Sequence, residues 1–158
     1  MSDITYEWTD GGNEDFKKFY LLTEEYYSKI VGGKDNRLGF VPYNLSDSIG
    51  DVIIAYDGGK AVACAGLKGY SRSDAEIKRV WVQPEYRGKG IATKLMVAVE
   101  EKARCMGFER AILQTREIMT DAVALYEKLG YSRIENYPPY DKLDGAVCFA
   151  KRLARGKI

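Results

Sequence analysis

Residues 80–92 read Val-Trp-Val-Gln-Pro-Glu-Tyr-Arg-Gly-Lys-Gly-Ile-Ala. A short β-branched and aromatic run stops at Pro84, and a turn around Gly88 and Gly90 precedes an amphipathic helix. A strand that ends in a glycine-rich turn and opens a helix gathers backbone N–H groups at the positive end of a helix dipole. The stretch therefore predicts a site for the phosphates of a nucleotide-like ligand.

The segments on both sides of this turn alternate between strand and helix periodicity. Strand patterns predict seven short strands, at 4–8, 52–56, 61–67, 76–82, 111–114, 131–134 and 146–151. Helical spacing predicts helices over 16–30, 91–106 and 122–129. Residues 34–49 show few periodic signals, and we expect a loop with a short helix there. Hairpins followed by two strand–helix–strand crossovers predict a mixed sheet with helices on both faces.

Length and composition predict one soluble domain over residues 1–158, since 46% of the residues are hydrophobic and 30% are charged. No apolar run approaches the roughly 20 residues that span a bilayer, and the N-terminus lacks the pattern of a signal peptide. We therefore expect a cytoplasmic protein that does not bind membranes. The three cysteines, Cys64, Cys105 and Cys148, are expected to be free, buried thiols.

The charge is unevenly distributed, although the net charge is only +1. Residues 1–57 carry 11 acidic and 5 basic side chains, and residues 58–158 carry 12 acidic and 19 basic ones. The positive second part either favours an anionic ligand or is an ordinary solvated surface. Its basic residues are interleaved with acidic ones, which argues against nucleic acid as a partner. The chain has no histidine, which excludes Ser-His and Cys-His nucleophilic pairs and histidine-containing zinc sites, and no metal is predicted.

The glycine turn itself excludes two common nucleotide motifs. It lacks the third glycine of a dinucleotide fingerprint and the Gly-Lys-Ser/Thr ending of a P-loop. What remains is Arg-x-x-Gly-x-Ala at residues 87–92, which resembles the signature Gln/Arg-x-x-Gly-x-Gly/Ala of the Gcn5-related N-acetyltransferase (GNAT) superfamily. Residues 122–131, Ala-x-x-Leu-Tyr-x-x-x-Gly-Tyr, resemble the second signature of that superfamily.

The resemblance covers roughly residues 50–152, including Glu76 to Gly88 as the central strand and its run into the turn. It implies an α/β (mixed α+β) fold, a single GNAT-like domain whose mixed, mostly antiparallel sheet has six to seven strands, with about four helices on its two faces. In this superfamily the two central strands splay apart. The slot between them is expected to lie between Val82 and the end of the next strand at 114–115.

The implied activity is acetyl-coenzyme A (acetyl-CoA)-dependent N-acetylation. The acceptor would be the primary amine of a small molecule or an amino-acid-like compound, attacking directly in a ternary complex. Two alternatives stay open: an acetyltransferase acting on a peptide or protein, and a non-catalytic domain that senses acyl-CoA. Homodimers are common among similar proteins, but no interface can be read from the sequence.

The resemblance assigns the pyrophosphate of coenzyme A to the backbone N–H groups of Gly88, Gly90, Ile91 and Ala92. Glycine suits this role because a Cβ would block the approach of a phosphate to the backbone. Arg87 and Lys89 would lie at the rim of this site, unless they are ordinary surface charges. The backbone of Val82, and to a lesser degree that of Trp81, would pair with the pantetheine arm.

The resemblance also supplies candidates for proton transfer. An amine acceptor must lose a proton before attack, and Glu76 is the candidate base. It lies 11 residues before Arg87, the spacing of the catalytic glutamate in the histone-acetylating branch; an ion pair with Lys78 or Arg79 is the alternative. Tyr126 is the candidate acid, because a phenol of pKa about 10 can protonate a thiolate whose thiol pKa is about 8.5. Its alternative is a core tyrosine.

The acceptor pocket and one cofactor contact are the least defined. Many members of the superfamily carry Asn where this chain has Met119, so a polar contact to pantetheine is missing or supplied elsewhere. Aromatic residues of two variable segments are candidate walls of the acceptor site: Phe40 and Tyr43, beside Pro42, and Tyr140, beside Tyr137. Such walls suit a small amine with an apolar or cationic body. Ordinary packing under a loop is the alternative.

Overall fold

The computed structural model describes residues 3–30 and 49–153. Over these ranges the chain forms seven strands and three α-helices, each within a few residues of its predicted position: β1 (Ile4–Thr9), α1 (Glu14–Ile30), β2 (Asp51–Asp57), β3 (Lys60–Gly69), β4 (Asp74–Val82), α2 (Ile91–Cys105), β5 (Arg110–Arg116), α3 (Thr120–Lys128), β6 (Ser132–Ile134) and β7 (Ala146–Arg152). Two short 3₁₀ turns cover Pro84–Tyr86 and Tyr140–Lys142. The additional short helix expected within 34–49 falls almost entirely outside the described residues.

The strands form one sheet in the order β1-β2-β3-β4-β5-β7-β6. Only the β4–β5 pair is parallel, and the other described pairs are antiparallel. β4 and β5 share a ladder only where Asp74–Glu76 faces Arg110–Ile112, after which both strands continue without pairing each other. The predicted mixed, mostly antiparallel sheet with a splayed central pair is therefore confirmed.

The helices cover both faces of the sheet, as expected. Alternate residues of β2 divide between two cores: Ile53 belongs to the larger one, with α2 and α3, and Ile54 to the smaller one, with α1. Leu95 and Val99 of α2 are fully buried in the larger core, as their spacing of four residues predicts. A third cluster, around Tyr140, covers the β7 side of the sheet.

A bulge in β4 changes which face its side chains meet. Lys78 pairs with Gly66 and Trp81 with Cys64, so three steps along β4 match two along β3. Arg79 lies at the irregularity with φ 56°, in the left-handed region. Glu76 and Lys78 alternate with residues of the larger core and so face the α1 side, whereas beyond the bulge Val82 joins the larger core. The bulge therefore shifts the alternation by one residue, so that even-numbered residues of β4 face the α1 side before it and the larger core after it.

The prediction of buried thiols is confirmed for Cys64 and Cys148 but is wrong for Cys105, which is exposed. Cys105 is the last residue of α2 and lies beside Glu101 and Arg104 on the outer side of that helix. The α2 residues that reach the core have a different helical phase. None of the helices in residues 3–30 and 49–153 combines the length and apolar character that crossing a bilayer requires.

Candidate active site

The splay of β4 and β5 opens a cleft of about 680 Å³. Its walls come from β4, the turn after it, the first residues of α2, the end of β5 and one side of α3. Sequence-predicted residues that line it are Glu76, Trp81, Val82, Arg87, Gly88, Gly90, Ile91, Ala92, Tyr126 and Tyr140. The structure thus brings together most of the residues that the sequence singled out.

The turn end of the cleft, residues 87–92, is made largely of backbone. Gly88 and Gly90 have φ of 77° and 82°, which L side chains rarely adopt. The first turn of α2 closes with the bond from Lys94 N–H to the Gly90 carbonyl (3.1 Å), so the amides before Lys94 lie at the open end of the helix. A Cβ built on either glycine meets no atom within 4 Å, which leaves space beside the backbone for a ligand.

Arg87 braces this turn against the end of β4. Its Nε donates to the Val82 carbonyl at 2.8 Å, and its guanidinium lies 4.8 Å from the ring centroid of Trp81. The other basic residue of the turn, Lys89, lies over the ring of Tyr86, with 5.3 Å from Nζ to the centroid. The role of Arg87 and Lys89 at the rim of a diphosphate site stays a prediction.

Backbone geometry favours Val82 over Trp81 as the partner of an added strand. Trp81 pairs with Cys64 of β3, and the Gln83 N–H donates to the Val62 carbonyl at 2.9 Å. Because backbone groups alternate sides along a strand, those of Val82 face the gap toward β5. The indole of Trp81 is only 6% exposed and packs in the smaller core.

The carboxylate end of the cleft comprises Glu76, Lys78, Tyr137 and Tyr140. Glu76 is 4% exposed, and its Oε2 accepts a hydrogen bond from the Tyr137 hydroxyl at 2.8 Å. Lys78 Nζ lies 3.6 Å from Glu76 Oε1 and donates to the Tyr140 hydroxyl at 2.7 Å. The ion pair that was the alternative reading of Glu76 is therefore present, and it lies at the cleft rather than at the surface.

Burial shifts the pKa values of three side chains at the carboxylate end. It raises the pKa of Tyr137 and of Tyr140, and the nearby Glu76 carboxylate raises both further. Burial lowers the pKa of Lys78 to about 8, and the Glu76 charge partly opposes this shift. Tyr137 and Tyr140 thus stay hydrogen-bond donors through neutral pH, while Lys78 titrates close to it.

Tyr126, the candidate acid, projects from α3 into the far wall of the cleft. It is 8% exposed, and its ring centroid lies 6.0 Å from that of Tyr131 and 6.4 Å from that of Phe149. Both readings of this residue are compatible with its position, because it packs in the larger core and also lines the cleft. Met119 precedes α3 and lines the same wall.

Two predicted residues lie outside the part of the chain that the structure describes, and one residue of the cleft was not predicted to be functional. Phe40 and Tyr43, the other candidate walls of the acceptor site, lie outside the described residues. Lys78 was considered only as an ion-pair partner, although its spacing of two from Glu76 is the strand signal for a shared face. Tyr140, by contrast, lines the cleft, and its role as a wall of the acceptor site stays a prediction.

The chain is similar to known proteins in sequence and in fold. A family model described as the acetyltransferase (GNAT) family matches residues 6–131. The chain is 36% identical over 86 residues to the uncharacterized N-acetyltransferase YjgM of Escherichia coli, covering 52% of this chain and 51% of that protein. It is 31% identical over 93 residues to the IAA acetyltransferase of Azospirillum brasilense, covering 56% and 58%. The chain thus spans about half the length of these curated relatives.

Among solved structures, the PaiA N-acetyltransferase of Thermoplasma acidophilum, in complex with coenzyme A, matches with a TM-score of 0.72. The match covers 95% of this chain and 99% of that one, and its 14% identity shows the fold alone. The family model, by contrast, covers most of the chain, including the turn end and Tyr126. This chain therefore belongs to the acetyltransferase (GNAT) family.

Proposed function

We propose that this protein is an N-acetyltransferase that uses acetyl-CoA to acetylate the primary amine of a small molecule or amino-acid-like acceptor. One observation carries the proposal: the amides at the start of α2 open into the cleft between splayed β4 and β5, beside two glycines whose missing side chains leave room for a diphosphate. The names of the relatives support it, since the chain resembles N-acetyltransferases and a neighbour of the same fold is in complex with coenzyme A.

Each wall of the cleft would have its own part in the reaction. The backbone of residues 88–92 would hold the pyrophosphate, and the inward-facing backbone of Val82 would align the pantetheine arm. When bound, acetyl-CoA supplies the activated acetyl thioester. The carboxylate end would take the proton that the acceptor amine must lose, and Tyr126 would return a proton to the departing thiolate. The absence of a metal, a cytoplasmic location and a homodimer remain predictions.

The acceptor class is proposed from the same cleft. An IAA acetyltransferase is among the relatives, so small acceptors occur in similar proteins. In the described part of the acceptor side, Tyr140 is buried, with only 1% of its surface exposed. A compact amine with a short apolar or cationic body suits such walls better than a protein surface does. Phe40 and Tyr43 stay candidate walls of this site.

Binding and turnover test the proposal separately. Calorimetry with acetyl-CoA and with free coenzyme A should show saturable binding, and no heat with either would contradict the diphosphate site. Release of free thiol from acetyl-CoA should then accelerate with at least one compound of a panel of small amines, amino acids and peptides with free N-termini. Binding without acceleration by any panel compound would favour the non-catalytic sensor, and acceleration by peptides alone would favour the peptide acetyltransferase.

A further inference from the structure

The Glu76 carboxylate already faces several hydrogen-bond donors. The Tyr137 hydroxyl donates to Oε2, and the Tyr140 hydroxyl, which accepts from Lys78, also hydrogen-bonds to Glu76. The Lys78 ammonium lies 3.6 Å from Oε1. A carboxylate offers about four lone-pair directions, and these three groups occupy most of them.

Lys78 lies on the same face of β4 as Glu76 and lines the cleft, with 6% of its surface exposed. Its Nζ is fixed from one side by the Tyr140 hydroxyl at 2.7 Å. When neutral, an amine that donates hydrogen bonds to its neighbours keeps its lone pair, which can face an acceptor bound in the cleft. Lys78 is therefore placed to exchange a proton with the cleft, whereas Glu76 is placed to hold a fixed charge beside it.

The neighbours of Lys78 set its titration. Burial lowers its pKa to about 8, Lys68 and Arg79 lower it further, and the Glu76 charge raises it. The titratable or charged groups that surround this end come from four segments: Lys68 on β3, Glu76 and Arg79 on β4, Tyr137 and Tyr140 before β7, and Cys148 on β7. Burial raises the pKa of both tyrosines and of Cys148.

We infer that Lys78 takes the proton of the acceptor ammonium and that Glu76 is a positioning residue, whose negative charge stabilises the resulting Lys78 ammonium. The inference rests on the proposed function. It divides the task that the sequence gave to Glu76 alone between two residues of one strand. Tyr137 and Tyr140 complete the arrangement by fixing Glu76 and Lys78 relative to each other.

Each proton in the proposed reaction has a defined donor and acceptor. The acceptor ammonium gives one proton to neutral Lys78, and the free amine attacks the thioester carbonyl carbon, forming the C–N bond. As the C–S bond breaks, sulfur gains the Tyr126 proton, and the second proton of the acceptor nitrogen restores the Tyr126 phenol. The products are the amide and the free thiol, and Lys78 releases the remaining proton to water before the next turnover.

The pH dependence of kcat/KM tests the assignment, with a primary alkylamine of pKa about 10 from the panel as acceptor. In the wild type we expect a limb near pH 8, set by Lys78 and distinct from that of the acceptor. Lys78→Arg keeps the charge but does not release its proton, and Lys78→Met removes the amine. Both should lose this limb and about 100-fold in kcat/KM at pH 8. Lys68→Arg, the matched control on β3, should keep both. Retention of the limb in Lys78→Met would overturn the inference.

Glu76→Gln separates the two candidate bases. Because the Glu76 charge raises the pKa of Lys78, its removal should move the limb to lower pH and leave the variant active above it. If Glu76 itself took the proton, the same variant would lose about 100-fold or more at every pH. Uniform loss in Glu76→Gln, with native binding of acetyl-CoA by calorimetry, therefore overturns the inference.

A second measurement needs no acceptor. Trace labelling of the intact protein with acetic anhydride across pH, read peptide by peptide in a mass spectrometer, reports the titration midpoint of each lysine. Lys78 should titrate near pH 8, and lower in Glu76→Gln. A midpoint at the ordinary lysine value of about 10.4 overturns the inference even if the enzyme is active. Failure of the wild type to release thiol with any amine overturns the proposed function instead, and with it the role of Lys78 as the base.

Discussion

The turn end of the cleft is made of consecutive residues, whereas the carboxylate end is assembled from side chains 61 and 62 positions apart in the chain. At the turn end, backbone amides and positive φ values form the site, so the important property of Gly88 and Gly90 is the absence of a side chain. At the carboxylate end, side-chain identity and the packing of β4 against the segment before β7 form the site. The turn end should therefore be sensitive to added side-chain bulk. The carboxylate end should be sensitive to side-chain identity and to the register of β4.

The largest effect is expected from Gly90→Glu. A left-handed φ of 82° strains any L residue, and the carboxylate would lie where the diphosphate is proposed to bind. We expect affinity for coenzyme A to fall by about 100-fold or more. Gly59→Glu is the control, because Gly59 has φ 92° and equal space around a built Cβ but lies in the β2–β3 turn. Calorimetry of both variants decides, and equal losses would show that general strain, not the site, is responsible.

Tyr126→Phe tests whether Tyr126, on the wall formed by α3, acts as the general acid. Loss of a general acid should lower kcat by about 100-fold while the affinity for acetyl-CoA changes little. Tyr131→Phe is matched, since it removes another buried hydroxyl, which is bonded to Glu100 at 2.8 Å, and Tyr131 does not line the cleft. Steady-state thiol release measures both variants. Full activity in Tyr126→Phe would leave this tyrosine with a packing role only.

Tyr137→Phe should separate the two ends. The change removes the 2.8 Å hydrogen bond to Glu76 while retaining the ring. Because hydrogen bonds to charged groups contribute about 1.5–3 kcal/mol, we expect roughly a tenfold fall in kcat/KM for the acceptor. Affinity for coenzyme A should stay at the wild-type value. Tyr56→Phe, which loses a hydroxyl bonded to Asp15 at 3.1 Å, is the control. If affinity for coenzyme A fell in Tyr137→Phe as much as kcat/KM for the acceptor, the two ends would be coupled.

Met119→Asn should give the smallest effect, and in the favourable direction. Met119 lines the cleft where many superfamily members carry the amide that contacts pantetheine. One added neutral hydrogen bond contributes about 0.5–1.5 kcal/mol, so affinity for coenzyme A should rise roughly 2- to 10-fold. Met106→Asn at the exposed end of α2 should leave affinity unchanged. Weaker binding in Met119→Asn would mean that the methionine makes an apolar contact of its own.

The contrast between the ends also explains what the sequence predicts and what it misses. Glycines, a preceding strand and a following helix are adjacent in the chain, so the turn end follows from local pattern and from the motif at 87–92. Glu76 was found through the spacing of a family motif, but its partner Tyr137 comes from a distant loop whose position depends on tertiary packing. Lys78 was missed as a candidate base because burial, which shifts its titration, does not appear in a sequence.

The bulge in β4 has no signal in the sequence either. Its positive φ falls on Arg79, a residue type that rarely adopts it, so no glycine or asparagine marks the place. The partner strand gives a partial signal, since a Cβ on Gly66 would lie 3.1 Å from the Lys78 carbonyl and 2.8 Å from Ile49 Cγ2. That close approach is visible only when β3 and β4 are paired. The positions of the strands and helices could be predicted without knowing this pairing.

The extra residue reverses the alternation of side chains midway along β4. The arrangement of the site therefore depends on the register of this strand as well as on its residue types. If β4 kept Arg79 but ran as a regular strand without the bulge, either the part before Arg79 or the part after it would present its opposite side. In one outcome the carboxylate and the amine would be delivered into the hydrocarbon interior beneath α2, and in the other Trp81 and Val82 would exchange faces. A slip of one residue at the bulge would thus separate the proposed acid–base groups from the backbone proposed to align the ligand, without altering any of these groups.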